Sequence, residues 1–270
     1  MRRMNKSYTF RYEALTPISH GDEGTLSTIT PFRRQRVYSE GEYYDIPVVS
    51  GNSFRGGALR RKGMKRFCDL LGLKKESLRA KPYYLLFNGG ALSKGDSDVS
   101  IGAKKEFRRI LPLVSIFGGG IDNMLLEGRM QIGFIYPIGK ETQVITGIHS
   151  DRSVFEFLNT VFYTRQDDYI PEDPTMKEMT VQMKYECEIM IPGTKFVQQV
   201  TVTTDEELEL SAFGFLMKIF QEEPHIGSKA NVGHGFVTFE PSAPLPDSKP
   251  FEDYVENNKE MIISYIRNLA

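Results

Sequence analysis

Apolar and polar residues alternate from Tyr8 to Leu15, with Tyr8, Phe10, Tyr12 and Ala14 on one side, which predicts a strand with one buried face. Thr16-Pro17 ends it. A polar, arginine-bearing connection follows to Asp45, far longer than the median loop of about 4–6 residues. Its aromatics Phe32, Tyr38, Tyr43 and Tyr44 argue against pure disorder, so a projection is expected. Pro47 to Leu71 starts as a short apolar run, turns at Ser50-Gly51-Asn52 and enters an amphipathic helix. Asn52 or Ser53 is the expected cap, and Phe54, Ala58, Phe67 and Leu71 fall on one face. Lys74 to Ser100 reads as loop-rich, Ile110 to Phe117 as a buried apolar run stopped by Gly118-Gly119-Gly120, and Arg129 to Pro137 as a strand.

Between Gly139 and Met179 the pattern changes. Val154 to Phe162 predicts a short helix inside an insertion. Thr180 to Ile191 alternates regularly and is expected to form a hairpin with Phe196 to Thr203 across Pro192-Gly193. Thr204-x-x-Glu207 has the capping-box spacing before a helix from Leu208 to Phe220. A glycine-spaced loop from Pro224 to Gly235, a strand from Phe236 to Glu240 and a terminal helix from Phe251 to Leu269 close the chain. The element order fits one α+β domain of ferredoxin-like type with long insertions.

Composition changes the picture little. The 270 residues are 40% hydrophobic, enough for one large domain with insertions. Lys and Arg number 34 against 35 acids, so any affinity for nucleic acid must come from local clusters. Arg33, Arg34 and Arg36 form one cluster, and Lys104, Lys105, Arg108 and Arg109 another. The densest is the helix after Ser53, with Arg55, Arg60, Arg61, Lys62, Lys65 and Arg66 and no acid before Cys68. A helix N-terminus followed by arginines suits phosphate, because free N–H groups and the dipole favour anions and guanidinium binds them in pairs. A solvated basic surface helix is the plain alternative. Cys68 and Cys187 read as buried thiols, and the absence of a long apolar run or a signal-peptide core leads us to expect a cytoplasmic protein without membrane contact.

The four histidines, His20, His149, His225 and His234, are scattered, with no metal-binding spacing, and there is no Walker loop, Gly-x-Ser-x-Gly or complete dinucleotide fingerprint. No cofactor and no metal are expected. Asp22 and Glu23 beside His20 are the one candidate acid–base group, in what is more simply a turn.

Four stretches together resemble one family. LTPISHG, PVVSGNSFRGGALR, SIFGGG and GSKANVGHGFV are similar to the corresponding elements of the RAMP-superfamily backbone subunits of CRISPR effector complexes, the multi-copy proteins that line a guide RNA. The resemblance implies an RRM-like palm spanning residues 1–270, a finger-like loop over 16–47, a thumb-like insertion over 139–179 and a helical tail over 241–270. It places Ser50, Asn52, Ser53, Arg55, Arg60 and Arg61 on guide-RNA phosphates, joined by Lys65, by His20, Arg33 and Arg34 of the first loop, and by Gly118, Gly119, Lys229 and His234 of the glycine loops. Implied partners are the guide RNA, a complementary target nucleic acid, copies of the chain stacked head-to-tail, and other CRISPR effector subunits.

Relatives that cut target RNA carry an aspartate after the first strand, in an Ile-Asp pair followed by proline and arginines. Here the match is Ile29-Thr30-Pro31-Phe32-Arg33-Arg34, and a threonine hydroxyl cannot replace a carboxylate. This departure implies a non-cutting subunit, as in type I or type IV complexes, and the LTPISHG wording points to type IV. Asp22 is the fallback for cutting. Two alternatives remain open: a guide-processing ribonuclease of the same superfamily using His20, and a ferredoxin-like interaction module without RNA.

Overall fold

The computed structural model describes residues 4–21, 29–92, 101–165 and 183–269. At its centre four strands pair antiparallel: β1 (Met4–Ala14), β2 (Met130–Pro137), β3 (Lys195–Thr204) and β4 (Val237–Pro241), in the spatial order β4-β1-β3-β2. Helix α1 (51–71) follows β1, and helix α2 (Glu207–Glu222) follows β3. That is the βαββαβ order of an RRM-like palm, as the sequence predicts.

The alternation in β1 does what it predicts. Tyr8, Phe10, Tyr12 and Ala14 are all buried, and the helices cover that face. Phe54 of α1 meets Phe220 of α2 edge-on at 5.1 Å, with Tyr12 beneath both. Each such ring contributes about 1.5–3 kcal/mol through burial. The polar end of Tyr12 is satisfied: its hydroxyl donates to Gln198 (2.7 Å), whose amide donates to the Gly133 carbonyl (2.9 Å). A six-residue helix, Pro112–Phe117, is buried along its whole length and packs against α2, while Arg55 and Arg60 of α1 reach its C-terminal end.

The first long connection carries a hairpin, Arg34–Ser39 with Glu42–Pro47, which packs Val37, Ile46 and Val48 onto Val154 and the outer face of β2. Several expectations need correction. Met183–Met190 does not pair with β3. It joins Leu158–Arg165 and Ile29–Thr30 in a separate sheet, while Ile18 and Met190 exchange backbone hydrogen bonds and Gly193 N–H donates to Ala14. Alternation fixes a strand's buried face, not its neighbour. The helix expected over Val154 to Phe162 is a single 3-10 turn, Val154–Phe157, and then strand, because Phe155 and Phe162 face solvent. Lys74 to Ser100 holds a helix, Ala80–Asn88, closed by Gly89. The capping box is absent: Glu206 starts α2, while Thr204 accepts from the Glu206 N–H and donates to Glu209. The tail is two helices, Lys249–Asn257 and Lys259–Asn268, broken at Asn258. Part of the 139–179 insertion, with Thr180, Val181 and Gln182 of the strand expected to follow it, lies outside the described residues. Among those described, no helix is long and apolar enough to cross a membrane.

Candidate nucleic-acid interface

Ser50, not Asn52 or Ser53, caps α1. Its backbone is still extended, and its Oγ accepts from the Ser53 N–H at 3.2 Å. The next residue must be glycine: a Cβ on Gly51 would lie 2.6 Å from the Ile132 carbonyl oxygen and 2.8 Å from that of Gly133. The helix start is therefore pressed onto β2, and Asn52 is left exposed at its rim. His20 sits behind the cap, 8% exposed, with Nε2 3.2 Å from Ser50 Oγ. It supports the serine from inside and does not face the surface.

From Phe54 to Arg61 the helix is wound as a π-helix. Such wide turns are rare and recur at functional sites. The i→i+5 winding brings residues five apart to neighbouring positions, and Arg55 and Arg60 accordingly reach one loop. Arg55 donates to the Phe117 carbonyl, and Arg60 donates to the Gly118 carbonyl at 2.9 Å with its guanidinium 4.8 Å over the Phe117 ring. Gly118 takes a positive φ of 69°, which turns its carbonyl inward. Arg60 is 7% exposed, and burial, with Arg55 alongside, pulls its guanidinium down to about 10. It stays charged at neutral pH. Among the described residues neither arginine has a carboxylate within ion-pair distance.

These groups line a groove of about 490 Å³ with Asn52, Arg61, Asn88 and Gly119. On the other side of the helix start lies a second groove, about 300 Å³, lined by Ser53, Lys62, His225 and Lys229. Between them stand Gly56 and Gly57, where an added Cβ would meet nothing within 4 Å. The missing side chains leave a low saddle between the arginine groove and the second one, where Glu223 neutralises Lys62 and Lys229 supplies the cation, over the positive end of a helix. An extended polyanion fits that shape.

The other sequence candidates divide. Arg61 and Lys65 are exposed and in no ion pair among the described residues, whereas Arg66 binds Glu222 and Lys62 binds Glu223. Arg34 is spent on Glu188 at 3.0 Å. Arg33 is half-buried and donates its backbone N–H to the His20 carbonyl. Lys229 Nζ lies 4.5 Å over the Tyr185 ring, at the wall of the second groove. His234 is buried and shares a hydrogen bond with the Tyr163 hydroxyl; burial lowers its pKa. Thr30 pairs with Cys187 in the outer sheet, and Asp22 and Glu23 lie outside the described residues. No group of three His, Cys, Asp or Glu side chains among the described residues could hold a metal. Sequence reasoning missed Asn88 and Gly89 of the groove wall, because the Ala80–Asn88 helix was itself missed; Gly89-Gly90 was the available signal.

A palm of βαββαβ order with a groove at its first helix defines an RRM-like α+β fold. Among solved structures the fold matches a chain described as "Type IV-B CRISPR Complex", with a TM-score of 0.65 and 18% identity, covering 88% of this chain and 91% of that one. No family model and no curated protein matches the sequence.

Proposed function

We propose that this chain is a backbone subunit of a CRISPR ribonucleoprotein effector complex, holding guide RNA by its phosphates along the two grooves at the start of α1. The observation that carries the reading is the pair of half-buried Arg55 and buried Arg60, set against carbonyls and a ring with no carboxylate within ion-pair distance among the described residues. A phosphate supplies the missing charge and leaves the carbonyl bonds intact, since each guanidinium has five donors. The shared fold with a chain of a Type IV-B CRISPR complex supports the same reading. Complementary target strand, further copies of the chain and other subunits are the partners it implies.

In this reading the subunit is a scaffold. Thr30 offers no carboxylate, and the burial of His20 behind Ser50 argues against its use as an acid–base catalyst. A guide-loaded assembly with magnesium is expected to leave end-labelled complementary RNA intact. Cuts at regular intervals would make it a nuclease.

Binding of single-stranded RNA should be insensitive to sequence and should weaken with salt, by about 0.7 in log–log slope per phosphate contacted. Replacing Arg55, Arg60 and Arg61 by Ala should flatten that slope. Because Arg60 also holds Gly118, the exposed pair Arg61→Ala with Lys65→Ala is the control that leaves the fold untouched. If both variants keep the parent's slope, α1 is not the phosphate site.

A further inference from the structure

Two surfaces outside the phosphate grooves are unpartnered and opposite in character. The first is the tip of the hairpin formed by Arg34–Ser39 and Glu42–Pro47. Tyr38 and Tyr43 face each other across it with rings 5.1 Å apart, and they are 60% and 74% exposed. Beside them stand Glu40 and Glu42, neither in an ion pair among the described residues, while Arg36 is neutralised by Asp45. An exposed tyrosine pair flanked by acids is poorly suited to a polyanion and well suited to a protein.

The second surface is a groove of about 610 Å³ along the helix Ile101–Ile110. Its floor is apolar, from Ile101, Pro112 and Leu208, and Ile101 is 76% exposed. Its rim carries Lys104, Lys105 and Arg109, none of them in an ion pair among the described residues. Two of the three acids there are engaged by arginines: Arg129 reaches Asp205 at 3.3 Å, and Arg108 and Arg129 flank the buried Glu209, which leaves the exposed Glu206 against three lysine and arginine side chains of the rim. The free charge of the groove is positive.

The two surfaces lie at opposite ends of β2. Arg129 of the groove immediately precedes that strand, whereas the hairpin packs on Phe134 and Tyr136 near its far end and sets Tyr44 beside Glu141 beyond it. Eight residues at about 3.3 Å each separate them by roughly 26 Å. A tip at one end and a groove of complementary charge at the other cannot meet within one molecule. We infer that the Tyr38/Tyr43 tip of one copy docks in the Ile101–Arg109 groove of the next, with the rings on Ile101, Pro112 and Leu208 and the glutamates against Lys104, Lys105 and Arg109. Such a contact is heterologous and does not close, so it propagates. It rests on the backbone-subunit reading only in giving that subunit the contact by which its copies stack.

The test is charge reversal on each side, read by sedimentation with and without a single-stranded RNA. A tip variant (Glu40→Lys, Glu42→Lys) and a groove variant (Lys104→Glu, Lys105→Glu, Arg109→Glu) should each lose the parent's concentration-dependent growth. Mixed in equal amounts, they should recover growth as an alternating series, since the intact tip meets the intact groove and the reversed tip meets the reversed groove. Combining all five changes in one chain should restore growth, which also shows that the variants fold. Parent-like growth of either variant overturns the contact, and so does a parent that stays monomeric both with and without RNA. Both variants should keep the parent's RNA affinity within twofold. Loss of growth as described in a protein that never bound RNA would uphold the contact and remove the guide-RNA reading.

Discussion

Two arginine-bearing sites sit at either side of the buried helix Pro112–Phe117, and they spend their charge differently. At its C-terminal end Arg55 and Arg60 bind the carbonyls of Phe117 and Gly118, groups with only a partial negative charge. On its other side Arg108 donates to Ser115 at 2.5 Å, Ser115 donates to Glu209, and Arg129 approaches the same carboxylate at 3.4 Å. Thr204 donates to the remaining Glu209 oxygen. With Asp205 3.3 Å from Arg129, the second site sets two guanidinium groups against two carboxylates. The first has hydrogen bonds for orientation but keeps its net charge. Counting cations would rank the two alike; it is the acceptor that separates an anion site from a structural knot.

The comparison breaks most visibly at Glu209, which is 1% exposed. Glu209→Ala leaves Arg108 without its carboxylate and Arg129 with Asp205 alone, and strands Ser115 and Thr204. Removing one partner of a buried pair costs about 3–5 kcal/mol, a large share of the roughly 5–15 kcal/mol of a whole domain. Urea unfolding should show that loss, and the salt slope of RNA binding should stay where it was. A loss below about 1 kcal/mol would mean that the cluster is solvated and that the contrast drawn here is only one of geometry.

How far the sequence shows these two sites follows from what is local. The palm was legible because β1, β2 and β3 each bury one face, and their order with two helices permits few topologies. The partner of Met183–Met190 was not, since its alternation suits any sheet and the partner, Leu158–Arg165, lies upstream. The arginines of α1 could be read from the chain, and so could the Ser-Gly-Asn turn. Their sorting could not. A 3.6-residue period puts Arg55 and Arg60 on different faces, and the π-helical winding that unites them leaves no mark in the hydrophobic pattern. Nor does a linear charge run say that Arg66 has Glu222 beside it while Arg61 has no carboxylate partner among the described residues.

A smaller effect sharpens the first site from beneath. Ser50→Ala removes the cap from α1 and a partner of His20, with an expected cost of about 1 kcal/mol in unfolding free energy. Ser50→Thr, which keeps the hydroxyl, should recover most of it. RNA affinity should fall modestly with the alanine, because free N–H groups at a frayed helix start no longer point in one direction. An alanine variant of parental stability would show that the contact of Gly51 with β2 alone fixes that start.

The smallest effect is the sharpest discriminator between proximity and pairing. Arg66 belongs to α1 and to the same cationic run as Arg61 and Lys65, yet its guanidinium lies 3.3 Å from the Glu222 carboxylate, with both side chains about half exposed. An exposed pair of this kind contributes roughly 0–1 kcal/mol, so Arg66→Ala should move stability by less than about 0.5 kcal/mol. Its effect on RNA binding tests the principle. If affinity follows the number of cations on the helix, losing Arg66 lowers the salt slope by about 0.7, as losing any phosphate contact does. If it follows charge left without a carboxylate, the slope stays unchanged while Arg61→Ala lowers it. Measured side by side over the same salt range, equal losses for the two substitutions would dissolve the distinction between the sites. A loss confined to Arg61 leaves the pairing of each arginine as what decides where the strand lies.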